Sequence, residues 1–187
     1  MQTTLVTSNP RKLEEARLIL GEGLQSHALD IPEIQSMDVA QVVRAKVRAA
    51  WSSLHVPVMV EDVAVSLACL DGFPGPFVKF FEERNGYENA LLLAGVRRNF
   101  RMQVCSSVAY RWGDMAQQER VVTQVIEGTL VPRRGSVGWG FDFYFVPDGE
   151  AKTYAEMGPE RKSQISHRAQ ALRTLRAIIT RSDESLI

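Results

Sequence analysis

Apolar positions divide this chain into short buried runs, helical stripes and two long alternating stretches. Thr3–Val6 predicts a short buried strand, and Thr7-Ser8-Asn9-Pro10 a turn into a helix. Asn9 suits the N-cap and Pro10 the first helical position. Leu13, Ala16, Ile19 and Leu20 then form a stripe, which Gly21 and Gly23 can stop. Ala28–Ile31 predicts a strand broken by Pro32, and Asp38 with Gln41 a capping box. The helix it opens carries Val39, Val43, Val47, Ala50, Trp51 and Leu54 on one face. Pro57–Val60 is wholly apolar, as in a strand covered on both sides, with Glu61-Asp62 at its C-terminal end.

From Phe100 to Trp112 apolar residues dominate alternate positions, which predicts a long, half-exposed antiparallel strand, and Val121–Val131 returns as a second. Pro132–Gly140 reads as a loop, Phe143–Val146 as a short strand, and a C-terminal helix carries Ile165, Leu172, Leu175 and Ile179 on one face. Helices alternate with strands early and long strands fill the middle. The expected class is therefore α/β, bordering on α+β, with an elongated mixed sheet and flanking helices.

Composition narrows the function. A chain of 187 residues fits one domain, or a large lobe with a smaller one, and buries roughly 70% of its unfolded surface without a staple. The two cysteines, Cys69 and Cys105, are too few for a disulfide framework and read as apolar thiols. The 22 basic and 22 acidic residues cancel, leaving no global field to hold a nucleic-acid polymer or an anionic membrane. The opening MQTTLVTSNPRK has no signal-peptide apolar region and no apolar run suffices for a membrane span, so a cytoplasmic protein is expected.

Three stretches carry candidate chemistry. Thr7 to Lys12 lies between a strand and a helix, where backbone N–H groups and a first-turn lysine attract phosphate; it serves equally as an ordinary capped turn. It lacks the glycines of a P-loop. Glu61-Asp62 offers paired carboxylates suited to Mg²⁺, the usual escort of a triphosphate, or else a solvated turn; Glu33 could add another. In the third, Trp139, Phe141 and Phe143 surround Gly140 and present surfaces on which a base can stack, followed by Lys162, Ser166, His167 and Arg168. On one ideal helix those four side chains fan too widely to meet. They converge only if the helix breaks near Ile165, with Ser166 capping a second piece. No nucleophile elbow, HExxH or strand-borne GxGxxG competes.

With these blocks in this order, the chain resembles the inosine triphosphate pyrophosphatases, also called ITP/XTP pyrophosphatases, from Thr4 to about Ile178. TSNPRKLEE, VEDVAVSLACLDGFPGPFVKFF, TYAEM and KSQISHR carry the likeness, which is strongest to the eukaryotic-type members. The resemblance implies a single domain of two lobes around a central cleft, a homodimer, and Mg²⁺ (with Mn²⁺ able to substitute). It implies hydrolysis of deaminated purine nucleoside triphosphates, ITP, dITP and XTP, to monophosphate and pyrophosphate. Carried over, Asp62, Glu61 and Lys12 are catalytic, and Glu33 and Asp62 bind metal. Thr7, Asn9 and Lys12 hold phosphates, Lys46 and Lys79 match family lysines near them, and Ser8 is substrate-binding in the same turn. Trp139, Gly140, Phe141 and Asp142 contact base and sugar, Lys162, His167 and Arg168 read the purine, and Ser166 among them is substrate-binding.

Three positions depart from the family pattern. Val63 stands in the substrate-binding stretch where Ser or Thr usually follows the catalytic Asp, Asp71 replaces a glycine, and Phe143 a proline. A pyrophosphatase of broader range, or a nucleotide-binding protein with weakened catalysis, are the alternatives these departures leave open.

Overall fold

The computed structural model describes residues 3–184. In chain order it contains β1 (Thr4–Val6), α1 (Pro10–Leu20), β2 (Gln25–His27), α2 (Val39–Leu54), β3 (Val58–Leu67), β4 (Pro74–Gly75), α3 (Val78–Glu82) and α4 (Gly86–Arg97). There follow β5 (Arg101–Arg111), β6 (Glu119–Leu130), β7 (Phe145–Pro147), α5 (Tyr154–Ile165) and α6 (His167–Glu184). The strands form a mixed sheet of seven in the order β2-β1-β3-β5-β6-β7, with β4 paired to β3. β1 is parallel to β2 and β3, whereas β4 and β7 run antiparallel to β3 and β6. This is the α/β class expected from the apolar pattern.

The chain folds into two compact units, one of residues 3–62, 106–124 and 168–184, the other of residues 63–105 and 125–167. β3, β5 and β6 each contribute residues to both. In the first unit apolar side chains cover the strands on two faces. Leu5, Met59, Val108, Tyr110 and Val122 pack with Ala16 of α1 and Leu172 and Leu175 of α6. Val6, Val58, Val60 and Ala109 pack with Val43, Val47 and Ala50 of α2. Successive strand side chains point to opposite faces, so a doubly covered strand needs a continuous apolar run, as Val58–Val60 supplies.

The second unit keeps one apolar cluster, in which Val63, Val65 and Leu67 of β3 and Met102 and Val104 of β5 meet Tyr87, Ala90 and Ala94 of α4. The half-exposed reading of the long strand therefore holds only for its first half. Burial alternates through Val104 and becomes continuous from Ser106 to Arg111.

Four local expectations change. The strand placed at Ala28–Ile31 is absent; the strand there is Gln25–His27, all exposed, held to β1 by backbone pairing. Leu29 and Ile31 instead pack loosely on the α2 cluster, which explains their apolar signal. Asp38 caps α2 by accepting from the Ala40 N–H, but Gln41 accepts from the Ser36 hydroxyl and closes no box. The C-terminal stripe is two helices, with Ile165 in the second unit's cluster and Leu172, Leu175 and Ile179 in the first unit's. Finally, Glu61-Asp62 lies inside β3, not at its end.

Candidate active site

In the first unit the geometry begins at the cap of α1. Asn9 Oδ1 accepts the N–H groups of Arg11 and Lys12 at 3.0 and 3.3 Å, and Thr7 Oγ1 accepts the Asn9 N–H at 3.1 Å. Ser8 is exposed beside them. The cap spends the Asn9 oxygen on the helix and leaves the helix's positive end at this turn. One turn on, Lys12 Nζ stands 3.0 Å from Glu61 Oε2 and 3.4 Å from Asp62 Oδ1.

From α2, Lys46 Nζ stands 3.3 Å from Asp62 Oδ2 and 2.7 Å from Glu33 Oε1. Burial works against the Lys46 ammonium, but Asp62 and Glu33 outweigh it and hold the group above the ordinary lysine range. Each oxygen of Asp62 thus faces one lysine, one from each helix. Pairing through lysines keeps these charges movable, because an ammonium on a four-carbon stem is a point charge without fixed orientation.

Glu61 is differently placed. Its buried carboxylate accepts from Ser106 Oγ at 2.9 Å and from Arg168 Nε at 3.2 Å, besides facing Lys12. Arg168 also bonds Glu15 of α1. With donors from three elements on its oxygens, Glu61 anchors Lys12 and Arg168. Glu33, Lys46, Asp62, Lys12, Glu61, Arg168 and Glu15 form one chain of alternating charge that begins and ends on a carboxylate. A small pocket beside it is lined by Thr7, Lys12, Glu61 and Arg168 with Leu5, Ala16 and Leu172. Glu15 was not legible as a site residue, since an acid in a helix ordinarily reads as solvated.

In the second unit a 3-10 turn at Gly140–Phe143 presents Asp142. Its Oδ2 accepts from Lys162 Nζ at 2.7 Å and from the Trp139 N–H at 3.1 Å. Lys162 is 6% exposed and its ammonium lies 5.8 Å from the Trp139 ring and 5.7 Å from that of Tyr154, within cation–π range. α5 is kinked where Gly158 takes φ 75, just before Pro159, and ends at Ser166, whose ψ of 158 is extended. The break expected near Ile165 is therefore present, and it directs His167 into a buried position between Phe141 and Tyr154, ring centroids 5.4 and 6.1 Å away.

Several expected contacts are not brought together. Phe141 is only 3% exposed, its ring part of the apolar cluster, so it offers no open face for a base, while Trp139 is half-buried. Phe143 lies partly buried under the Arg133 guanidinium, 4.0 Å from its ring. Val63 is a core residue, because the strand alternation that turns Asp62 one way turns Val63 into the apolar cluster. Lys79 stands exposed on α3. The unit boundary falls between His167 and Arg168, placing Arg168 with the carboxylates of the first unit and Lys162 and His167 with the aromatic turn of the second.

Asp71 takes a left-handed backbone, φ 51, which accounts for a glycine being usual there, and its charge is met by Arg97 at 3.1 Å. Glu82, which no motif marked, sits beneath the aromatic turn and accepts from the Phe141 N–H and the Tyr87 hydroxyl.

The model of the Ham1 family matches residues 3–178. A protein of Yarrowia lipolytica named inosine triphosphate pyrophosphatase is 37% identical, the match covering 98% of each chain. One of the same name from Puccinia graminis f. sp. tritici is 32% identical over 97% of this chain and 98% of its own. The solved structure of the Staphylococcus aureus Ham1 protein superposes with a TM-score of 0.81 at 22% identity, covering 96% of this chain and 99% of that one, which shows the shared fold. On the family match and the full-length relatives together, this chain belongs to the Ham1 family.

Proposed function

We propose that this chain hydrolyses deaminated purine nucleoside triphosphates (ITP, dITP and XTP) to the monophosphate and pyrophosphate. The observation that carries the reading is Asp62 with each carboxylate oxygen facing a lysine, Lys12 from the capped start of α1 and Lys46 from α2. Two near-full-length relatives named for inosine triphosphate hydrolysis support it.

In this reading Lys12 and Lys46 hold the phosphate tail at the positive end of α1, whose first N–H groups are taken by Asn9. Asp62 orients a water and takes its proton as the water oxygen bonds the α-phosphorus. The bond from that phosphorus to the bridging oxygen breaks, and pyrophosphate leaves with the electron pair. Catalysis of this kind rests on positioning and charge stabilisation. Glu33 and Asp62 fit a hard divalent cation such as Mg²⁺, or Mn²⁺ in its place: both are oxygen donors, one exposed, on a charge chain that ends in carboxylates. When bound, the ion would neutralise charge on the phosphate tail.

Base recognition falls to Trp139 as the stacking surface and to Lys162 and His167 as buried donors. Arg168, which the first unit holds on Glu61 and Glu15, carries guanidinium donors of the kind a 6-oxo group accepts. Adenine, with a 6-amino group, would leave such donors unmatched, a mismatch that discriminates strongly. The same reading extends to a cytoplasmic homodimer whose two units are lobes of one domain; light scattering in solution tests the dimer.

The deciding experiment is pyrophosphate release from ITP, XTP, dITP, GTP, ATP and UTP with Mg²⁺. Preference for the first three is expected. A flat profile would replace the reading with a broad-range pyrophosphatase, and no release at all with a nucleotide-binding protein.

A further inference from the structure

Glu82 ends α3 and is half-buried against the turn that carries Trp139 and Phe141. A Cβ on Gly140 would fall 2.4 Å from its Oε1, so this stretch of backbone lies directly on the carboxylate, and a side chain there would displace it. Gly140 itself has φ 58. The carboxylate accepts from the Phe141 backbone N–H and, at 3.3 Å, from the Tyr87 hydroxyl of α4, whose ring stacks on Tyr144 at 5.0 Å. The charged and titratable groups that face it are Tyr87 from α4 and Asp142 from the turn, the latter paired with Lys162. On α3 Lys79 is exposed, as are Glu83 and Arg84 just after it.

An acid with no cation among those neighbours is an unusual support for a turn. Burial pushes its carboxyl up to about 7, against the Tyr87 and Phe141 donors that pull it down, and Asp142 adds to the rise. The two protonation states are unequal as supports. The carboxylate accepts both N–H and O–H as charge-assisted bonds, roughly twice as strong as neutral ones, whereas the neutral acid accepts more weakly and turns one oxygen into a donor.

We propose that Glu82 is a positioning residue that clamps the Trp139–Phe141 turn for the nucleotide base, and that the clamp tightens when its carboxyl loses its proton. The assignment to a base rests on the function proposed above; the clamp itself does not. Glu82 touches the backbone of the turn and acts through it, so it is expected to move KM and to leave kcat alone.

The test has two arms on the full chain. In the nucleotide-free protein, the Phe141 amide nitrogen is followed by NMR from about pH 5.5 to 8.5. A midpoint near 7 is expected in wild type. The transition should vanish in Glu82→Gln and move upward in Tyr87→Phe, which removes a donor that lowers the value. In the second arm KM for ITP is measured over the same range. It should fall roughly fivefold more in wild type than in Glu82→Gln as pH rises, the two starting from similar low-pH values. Substrate ionisation is common to both proteins and cancels in the comparison. A Phe141 amide that titrates identically in Glu82→Gln, or not at all in wild type, overturns the clamp. An intact amide transition with superimposable KM profiles overturns its role toward the base. Absence of hydrolysis of every triphosphate would reject the proposed function instead, and the amide arm would still decide the clamp.

Discussion

Two carboxylates of the first unit gather cations in different ways. Glu119, at the start of β6, is buried under three arginines: Arg44 Nη1 and Arg111 Nη1 at 3.0 Å and Arg48 Nε at 2.9 Å. Asp62, in mid-strand, faces two lysines at 3.3 and 3.4 Å. Arginine forks are planar and hold a carboxylate in fixed, partly bidentate geometry, whereas lysine ammonium groups are compact charges that swing. The arginine set is built to stay closed and ties α2 to the strands. In the proposed function the lysine set releases its carboxylate and turns toward a phosphate, and Glu33, paired with Lys46, stands 61% exposed. A cluster of charge thus becomes a candidate site through the mobility and access of its counter-ions, not through charge density.

The largest expected effect falls on the lysine-held acid. Asp62→Asn should lower ITP turnover by about 10²- to 10⁴-fold, the range for losing a positioned general base. Its nucleotide affinity and melting temperature should change little. Near wild-type turnover in a pyrophosphate-release assay would erase the contrast with Glu119.

Next comes Arg168→Ala, which removes a fork placed on Glu61 and Glu15 inside the lysine set. We expect kcat/KM for ITP to fall roughly 10- to 1000-fold, with ATP falling far less. Equal losses for both nucleotides would make Arg168 an anchor of Glu61 only, an arginine acting as those around Glu119 do.

Lys12→Ala should weaken triphosphate binding about 10- to 100-fold and monophosphate binding much less, as read by calorimetry. Equal losses would mean that Lys12 is not handed over to the phosphate tail.

The smallest effect on activity, and the clearest on stability, belongs to Glu119→Gln. Removing that charge leaves three guanidinium groups facing one another. The cost is about 2 kcal/mol, discounted because Arg44 and Arg48 are about half exposed, while kcat stays near wild type. Burial pushes the Glu119 carboxyl up, but Arg48, Arg111 and Arg44 outweigh it and hold it below the ordinary range of 4.5. Its contribution to stability is therefore complete above about pH 4.5 and is lost as pH falls through the lowered value. Acid unfolding curves should show this loss in wild type and lack it in the variant. A variant with unchanged stability and an unchanged acid limb would show that the arginine set is no lock.

Much of this protein is set by local rules that its sequence states openly. Asn9 and Pro10 start α1, the apolar run before Glu61 makes a strand covered on both faces, and the helical-wheel conflict around Lys162 requires the break found at Ser166. These follow from periods of 3.6 and 2 and from capping chemistry, which act over a few residues. Only the tertiary structure decided the rest. β2 has no apolar residue and exists because its backbone pairs with β1. Ser106 turns a one-sided strand into a doubly covered one because different units surround its two halves. Glu61 and Asp62 are neighbours in sequence, yet one is an anchor and the other a candidate base. Adjacent strand residues point to opposite faces, and what waits on each face comes from segments far along the chain. Glu15 and Glu82 carry no sequence signal, since an acid's role depends on the partners that folding brings within about 3 Å of its oxygens.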